Sequence, residues 1–216
     1  MDDSEKDFIV KRYTDRYNEL GYSPKTLGWF KQRHFLRYKI LLDSWEYDNN
    51  SLLDFGCGFG DMYSYINQNQ LKINYFGVDI NSNLINKGKK LYKNINLSCC
   101  DFLNSKQRNN YDFIVSSGVH NLKLIDNISF INKTFKVFHE SSKHGFSLNF
   151  LSNKCQYFED DLYYSSPEHI LNIAYNYSNN VILRNDYMPY EFTLIVNKNI
   201  KVHKDHTVYS NFINYI

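Results

Sequence analysis

Apolar residues along this 216-residue chain recur with two different periods, and the alternation between the two outlines a fold. Ile9, Tyr13, Tyr17 and Leu20 share one face at helical spacing, which predicts a helix over about 4–20, stopped by Gly21 and Pro24. A second helix is predicted from about 25–27 to 45. Its face carries Leu27, Phe30, His34 and Leu41, with Arg37 and Tyr38 offset. Short apolar runs then predict strands near 51–55, 74–80, 95–100, 111–116, 145–151, 180–187 and 191–198. Helical patterns fall between them, near 60–70, 82–93, 124–141 and 167–178. The last opens on Ser166-Pro167, a cap residue followed by proline at the first helical position.

Strands alternating with helices imply a parallel sheet covered on both faces. The final two strands are joined only by Met188-Pro189-Tyr190, too short for a helical crossover, so they must pair antiparallel. The expected fold is α/β: a Rossmann-like, doubly wound, seven-stranded sheet, mostly parallel, with a C-terminal antiparallel hairpin and an N-terminal helical cover. The chain reads as one domain, 1–216. Residues 1–48 form the cover, 49–198 the core, and 199–216 an appendage that could pack on the body, join a dimer or stay mobile.

Composition narrows the class further. Hydrophobic residues make up 43% of the chain and charged residues 22%, which excludes disorder. A net charge of +2 gives no case for a nucleic-acid partner. The acidic, polar start Met1-Asp-Asp-Ser-Glu-Lys predicts no signal peptide, and no apolar run reaches membrane-spanning length. Cys57, Cys99, Cys100 and Cys155 have no metal-ligand spacing, and neighbours in a strand point to opposite faces, so Cys99 and Cys100 should not bridge. A reduced, cytoplasmic protein is expected.

The chemistry concentrates in Ser51-Leu-Leu-Asp-Phe-Gly-Cys-Gly-Phe-Gly-Asp61. An apolar run ends in Asp54, then Gly56, Gly58 and Gly60 alternate into a helix start. Glycines suit a turn whose backbone angles a Cβ forbids and whose main chain a ligand must approach. Asp79 ends the next apolar run. Together they describe a nucleoside-binding βαβ unit. The dinucleotide fingerprint would need glycine at position 61, where this chain has aspartate.

The pattern D-x-G-x-G-x-G, with acids at Asp79 and Asp101 ending the second and third strands, resembles the class I S-adenosylmethionine (SAM) methyltransferases over roughly residues 27–198. The resemblance implies SAM as cofactor and S-adenosylhomocysteine as product. Asp79 would accept from the ribose hydroxyls, Ile80 would lie against the adenine, Asp101 would accept from its amino group, and the N–H of Phe102 would donate to a ring nitrogen. Asp54 would brace the loop or meet the ligand ammonium. Ser116 and Ser117 would reach the methionine part. Related small-molecule enzymes have a Gly-Trp and an Arg-aromatic pair before the first strand, here Gly28-Trp29 and Arg37-Tyr38, which makes Arg37 the candidate for the ligand carboxylate; Lys31, Gln32, Arg33 and His34 are its neighbours. His120, just past the fourth strand, is the candidate general base. Tyr13, Tyr17, Tyr187 and Tyr190 are the candidate acceptor contacts.

The implied reaction is methyl transfer to an oxygen or nitrogen of a small molecule, such as a phosphorylated or sugar-pathway metabolite. A nucleic-acid enzyme is an alternative, but the fourth strand ends Ser116-Ser117-Gly118-Val119 rather than in an Asn/Asp-Pro-Pro-aromatic motif. Near that strand only Asp112 and Asp126 are available as metal ligands, so no metal is expected. The alternative from another class is a non-catalytic SAM-binding or partner-binding module.

Overall fold

The computed structural model describes residues 1–29, 33–106 and 108–216. Helix α1 spans Asp3–Leu20 and α2 spans His34–Leu42. The strands are β1 (Asn50–Phe55), β2 (Ile73–Asp79), β3 (Asn96–Cys99), β4 (Tyr111–Ser116), β5 (Ser142–Ser152), β6 (Tyr164–Ser165), β7 (Val181–Arg184) and β8 (Glu191–Asn197). Between them run α3 (Asp61–Gln68), α4 (Ser82–Leu91), α5 (Asn127–Ser141) and α6 (Pro167–Tyr175).

The strand order is β3-β2-β1-β4-β5-β8-β7, with the two-residue β6 added to the end of β5. Strands β1 to β5 run parallel, while β8 pairs antiparallel with both β5 and β7. Winding reverses between β1 and β4, whose last residues, Phe55 and Ser116, are register partners. Ligands of open α/β sheets bind outside the carboxyl ends of strands at such a reversal.

Alternation along the central strands builds two cores. Leu53 and Ile114 face one layer with Phe135, Phe138 and Phe146. Leu52, Phe113 and Val115 face the other with Met62, Ile66 and Tyr75. A sheet buried on both faces explains why these strands read as near-continuous apolar runs.

The second helix differs from expectation. Pro24–Leu27 forms a single 3-10 turn, and Gly28 follows at φ 83°, a left-handed conformation that ends it. Helix α2 starts only at His34. Phe30, Lys31 and Gln32, expected on one continuous helix, lie outside the described residues. The 199–216 appendage holds a small antiparallel pair, β9 (Val202–His203) with β10 (Val208–Tyr209), and a closing 3-10 segment, Ser210–Tyr215.

Helix α1 starts from a capping box between Asp2 and Glu5 and lies across the sheet's carboxyl edge. Asn81, just past β2, donates to Val10 O at 3.0 Å and to Thr14 Oγ1 at 3.1 Å. Lys6 reaches Asp101 at 2.9 Å, and Arg12 pairs with Asp161. No described helix is long and apolar enough to cross a membrane.

Candidate functional site

A cleft of about 120 Å³ opens at the β1–β4 reversal. Its floor is the turn after β1. Gly56 (φ 73°) and Gly58 (φ 56°) both take left-handed angles, which a side chain strains. A Cβ on Gly56 would sit 2.1 Å from Val119, and one on Gly58 would sit 3.0 Å from Leu27. Gly58 N donates to Asp79 Oδ2 at 2.9 Å, and Asn81 N donates to Oδ1 at 2.8 Å. Asp79 thus closes the glycine turn onto the end of β2, and burial raises its pKa.

Asp54 is 3% exposed, and Tyr75 donates to it at 2.8 Å. Burial pushes its carboxyl up to about 7 despite that bond. A buried carboxylate with one neutral donor is a seat for a cation. Ser117 lines the cleft with a buried hydroxyl that has no partner among the described residues.

A second cavity of about 770 Å³ adjoins the first. Tyr13, Leu27, Trp29, Gly118 and Leu122 line both, so they form the shared wall. Behind Trp29 lies a buried polar relay. The Arg37 guanidinium stacks 4.3 Å from the Trp29 ring and bonds Glu191 through Nε (2.8 and 2.9 Å) and Nη2 (2.6 Å). Asn149 donates to Glu191 at 2.8 Å and accepts from Gly118 N at 2.7 Å. The relay ties both sides of the shared wall to β5 and β8.

Asp54, Gly56, Gly58, Asp79, Ile80 and Asp101 all line the cleft. Asp101 does so while holding Lys6 of α1 and the side chain of Asn104, at 2.6 Å. Those two donors hold its pKa below the usual range even against burial. Phe102 turns its ring into the core, and its N–H takes no bond among the described residues. Tyr13 lines both cavities and Tyr190 the second.

Other candidates are placed elsewhere. Gly60 starts α3 at φ 82° and packs against Ile95 and Leu97 rather than the cleft. Arg37 was expected on the cofactor carboxylate; its charge is instead spent on Glu191, and it borders the second cavity. Ser116 is fully buried, and the strand's alternation turns Ser117 to the cleft in its place. Tyr17 packs on Phe59 at 5.7 Å, and Tyr187 bonds Thr193 at 2.8 Å; neither lines the cleft or the second cavity.

His120 is 1% exposed between Phe130 and Phe150. Thr134 Oγ1 gives its proton to Phe130 O at 2.9 Å, so His120 Nε2, 3.2 Å away, must donate to it. Nδ1 is left as a buried, unpartnered acceptor, and desolvation drives the pKa down to about 3. Such an imidazole stays neutral, lies off both cavities and is too weak a base for the role expected of it. Among the described residues, no group of three His, Cys, Asp or Glu side chains is placed to hold a metal.

Sequence reasoning missed apolar residues that shape the site: Leu27 and Leu122 of the shared wall, and Val119 against Gly56, carry no chemical signature. Arg12 and Arg16, which line the second cavity, did leave one: the Arg-Tyr pair at 12–13 recurs at 16–17 on α1, one helical turn apart.

A mostly parallel sheet with this strand order, a glycine turn locked to an acid ending β2, and a cleft at the reversal define the class I methyltransferase fold. A family model described as a methyltransferase domain matches residues 53–140. A Mycobacterium tuberculosis (strain H37Rv) protein, provisionally named a methyltransferase, is 29% identical over 161 residues, covering 70% of this chain and 95% of its own length. Among solved structures, magnesium protoporphyrin IX methyltransferase of Synechocystis PCC 6803 with bound SAM superposes with a TM-score of 0.64 at 14% identity, over 92% of this chain and 98% of that one. The N-methyltransferase NodS of Bradyrhizobium japonicum WM9, in complex with S-adenosylhomocysteine, gives 0.61 at 14%, over 87% and 98%. These two likenesses show a shared fold. In the domain match over residues 53–140 and in its strand order, the chain resembles the class I methyltransferases.

Proposed function

We propose that the cleft binds SAM and that the second cavity holds a small-molecule acceptor, methylated on oxygen or nitrogen. The observation that carries this is the closure of Gly58 onto Asp79 in the glycine turn that floors the cleft, with a second cavity sharing a wall with the cleft. When bound, SAM supplies an already activated methyl group, so the protein's work is to position and to exclude water.

Asp79 presents a half-buried carboxylate at the end of β2, where ribose hydroxyls can donate to it. Ile80 offers the adenine an apolar face, and Asp101 with the N–H of Phe102 lies at its edge. Asp54 meets the ligand ammonium, which offsets the cost of its burial. Ser117 donates to the methionine part. Tyr13 and Trp29 close the junction to the acceptor, and Tyr190 borders the acceptor. A phosphorylated or sugar-pathway metabolite fits the polar, cation-bearing lining of the second cavity. Pockets for such ligands usually enclose about 300 Å³ or more. At about 120 Å³ the cleft is smaller, so binding must shift Leu27, Val119 or α1 outward.

Calorimetry with SAM tests the reading. Asp79→Ala removes charged hydrogen bonds worth roughly 1.5–3 kcal/mol, so the dissociation constant should rise about 10- to 100-fold. Unchanged affinity, or no SAM binding by the wild-type chain, refutes it.

A further inference from the structure

Resting on the reading above, we propose that the acceptor is a carboxylic acid, methylated on its own carboxylate oxygen to a methyl ester, with Arg33 drawing the anion in. The first observation is the charge of the second cavity. Arg12, Arg16, Arg33, Arg37 and Lys154 line it against only two acids, Glu159 and Asp161. Three of these cations have carboxylates of their own: Arg12 pairs with Asp161, Arg37 with Glu191, and Lys154 with Glu168 at 2.8 Å. Arg33 has none among the described residues. Its Nη1 donates to the neutral Tyr190 hydroxyl at 2.8 Å, and its guanidinium lies 5.9 Å from that ring. A half-buried guanidinium held by a phenol, at the wall of a cavity, is a receptor for an anion, and its planar fork suits a carboxylate.

The second observation is the chemistry of the shared wall, where methyl transfer must occur. Of Tyr13, Leu27, Trp29, Gly118 and Leu122, only Tyr13 can ionise, and burial raises its pKa, so it keeps its proton. His120, between Gly118 and Leu122 in sequence, is sealed in the core. An alcohol needs a base to become a competent nucleophile, and none stands on this wall among the described residues. An amine arrives as an ammonium ion, must shed a proton, and is repelled by the guanidinium of Arg33. A carboxylate is ionised at neutral pH, needs no base, and is attracted by that charge. A lone pair on its oxygen forms the new C–O bond as the methyl–sulfur bond breaks and the bonding pair stays on sulfur. No proton moves, and no oxidant or reductant is required.

The test uses the full chain, SAM labelled in its methyl group, and the small-molecule extract of the source cells. Methyl esters release their label as volatile methanol in mild alkali; methyl ethers, phosphate diesters and methylamines keep it. The expected result is protein-dependent label in the small-molecule fraction, volatile after alkali, formed at a rate that is flat from about pH 6 to 9 because the nucleophile is ionised throughout. Arg33→Gln should raise KM about tenfold or more with kcat nearly unchanged, and Arg33→Lys should recover part of that loss. Alkali-stable label, or label only in macromolecules, overturns the carboxylate while leaving methyl transfer standing. An unchanged KM in Arg33→Gln removes the role of Arg33. Label in no fraction, although SAM binds, removes the reading of the enzyme beneath both.

Discussion

Glu191→Ala tests the relay behind the shared wall. Glu191 is 1% exposed and Arg37 6%, so the substitution strands a guanidinium with little access to water. It removes three contacts from Arg37, one from Asn149 and a longer one from Tyr187 at 3.2 Å. Breaking one side of a buried ion pair costs about 3–5 kcal/mol. The orphaned Asn149 amide adds to this, but relaxation of its neighbours offsets part, so about 4 kcal/mol is a fair expectation. For a chain of this size each kcal/mol lowers the melting temperature by roughly 2–4 °C, giving a fall of about 8–16 °C. Urea unfolding and calorimetry measure it. The double variant Arg37→Met/Glu191→Met removes both charges and should recover at least half of the loss, because an apolar pair needs no desolvated partner. A melting point for Glu191→Ala within about 2 °C of wild type would refute the relay, since the pair would then be hydrated. So would a double variant no more stable than the single one.

Two further predictions concern titrating groups. Asp54 has a folded pKa raised from 3.8 to about 7, so the folded ligand-free protein holds a proton that the unfolded chain has released. Stability therefore falls as pH rises from about 4 to 7 and is level above that. Asp54→Asn keeps an acceptor for Tyr75 and should stabilise the ligand-free protein more at pH 8 than at pH 5, while weakening SAM binding; equal melting shifts at the two pH values would contradict the burial argument. His120→Asn should lower stability through lost packing against Phe130 and Phe150 yet leave the shape of the pH–rate profile unaltered; loss of a kinetic limb between pH 5 and 8 would restore it as a base.

The parts of this molecule legible in its sequence are those built from local repetition. Strands buried on both faces declare themselves as apolar runs, and a glycine turn between Asp54 and α3 declares its backbone angles. Asp79 could be placed because β2 ends where its apolar run ends, and the parallel register with β1 then sets it beside Gly58. Arg37 could not. It sits on a helix in the segment where the resemblance implied an arginine for the ligand carboxylate, but its partner Glu191 is 154 residues away, at the first residue of β8. The signal was there in another form: Glu191 heads a strand whose every residue is buried, and a carboxylate in such a place requires a partner. His120 misled for the same reason. A histidine after the fourth strand reads as reactive, and only the rings of Phe130 and Phe150 and the bond to Thr134 show that it is a packing residue.

Those two corrections bear on one another. With His120 in the core and Arg37 committed to Glu191, the shared wall contains, among the described residues, neither a base nor a cation aimed at the cofactor. Its charge lies instead on the acceptor's side, at Arg33 and along α1. Positive charge there does not help the departure of the product sulfur, and it repels the sulfonium of the donor across the wall. Such a field is retained only if the acceptor brings compensating charge of its own, because an anion entering the second cavity turns that repulsion into attraction between the two reactants. The order of events should follow from this. With an anionic acceptor in the second cavity, the cleft should hold SAM more tightly than S-adenosylhomocysteine, which has lost the positive sulfur, and by linkage SAM should tighten the acceptor in return.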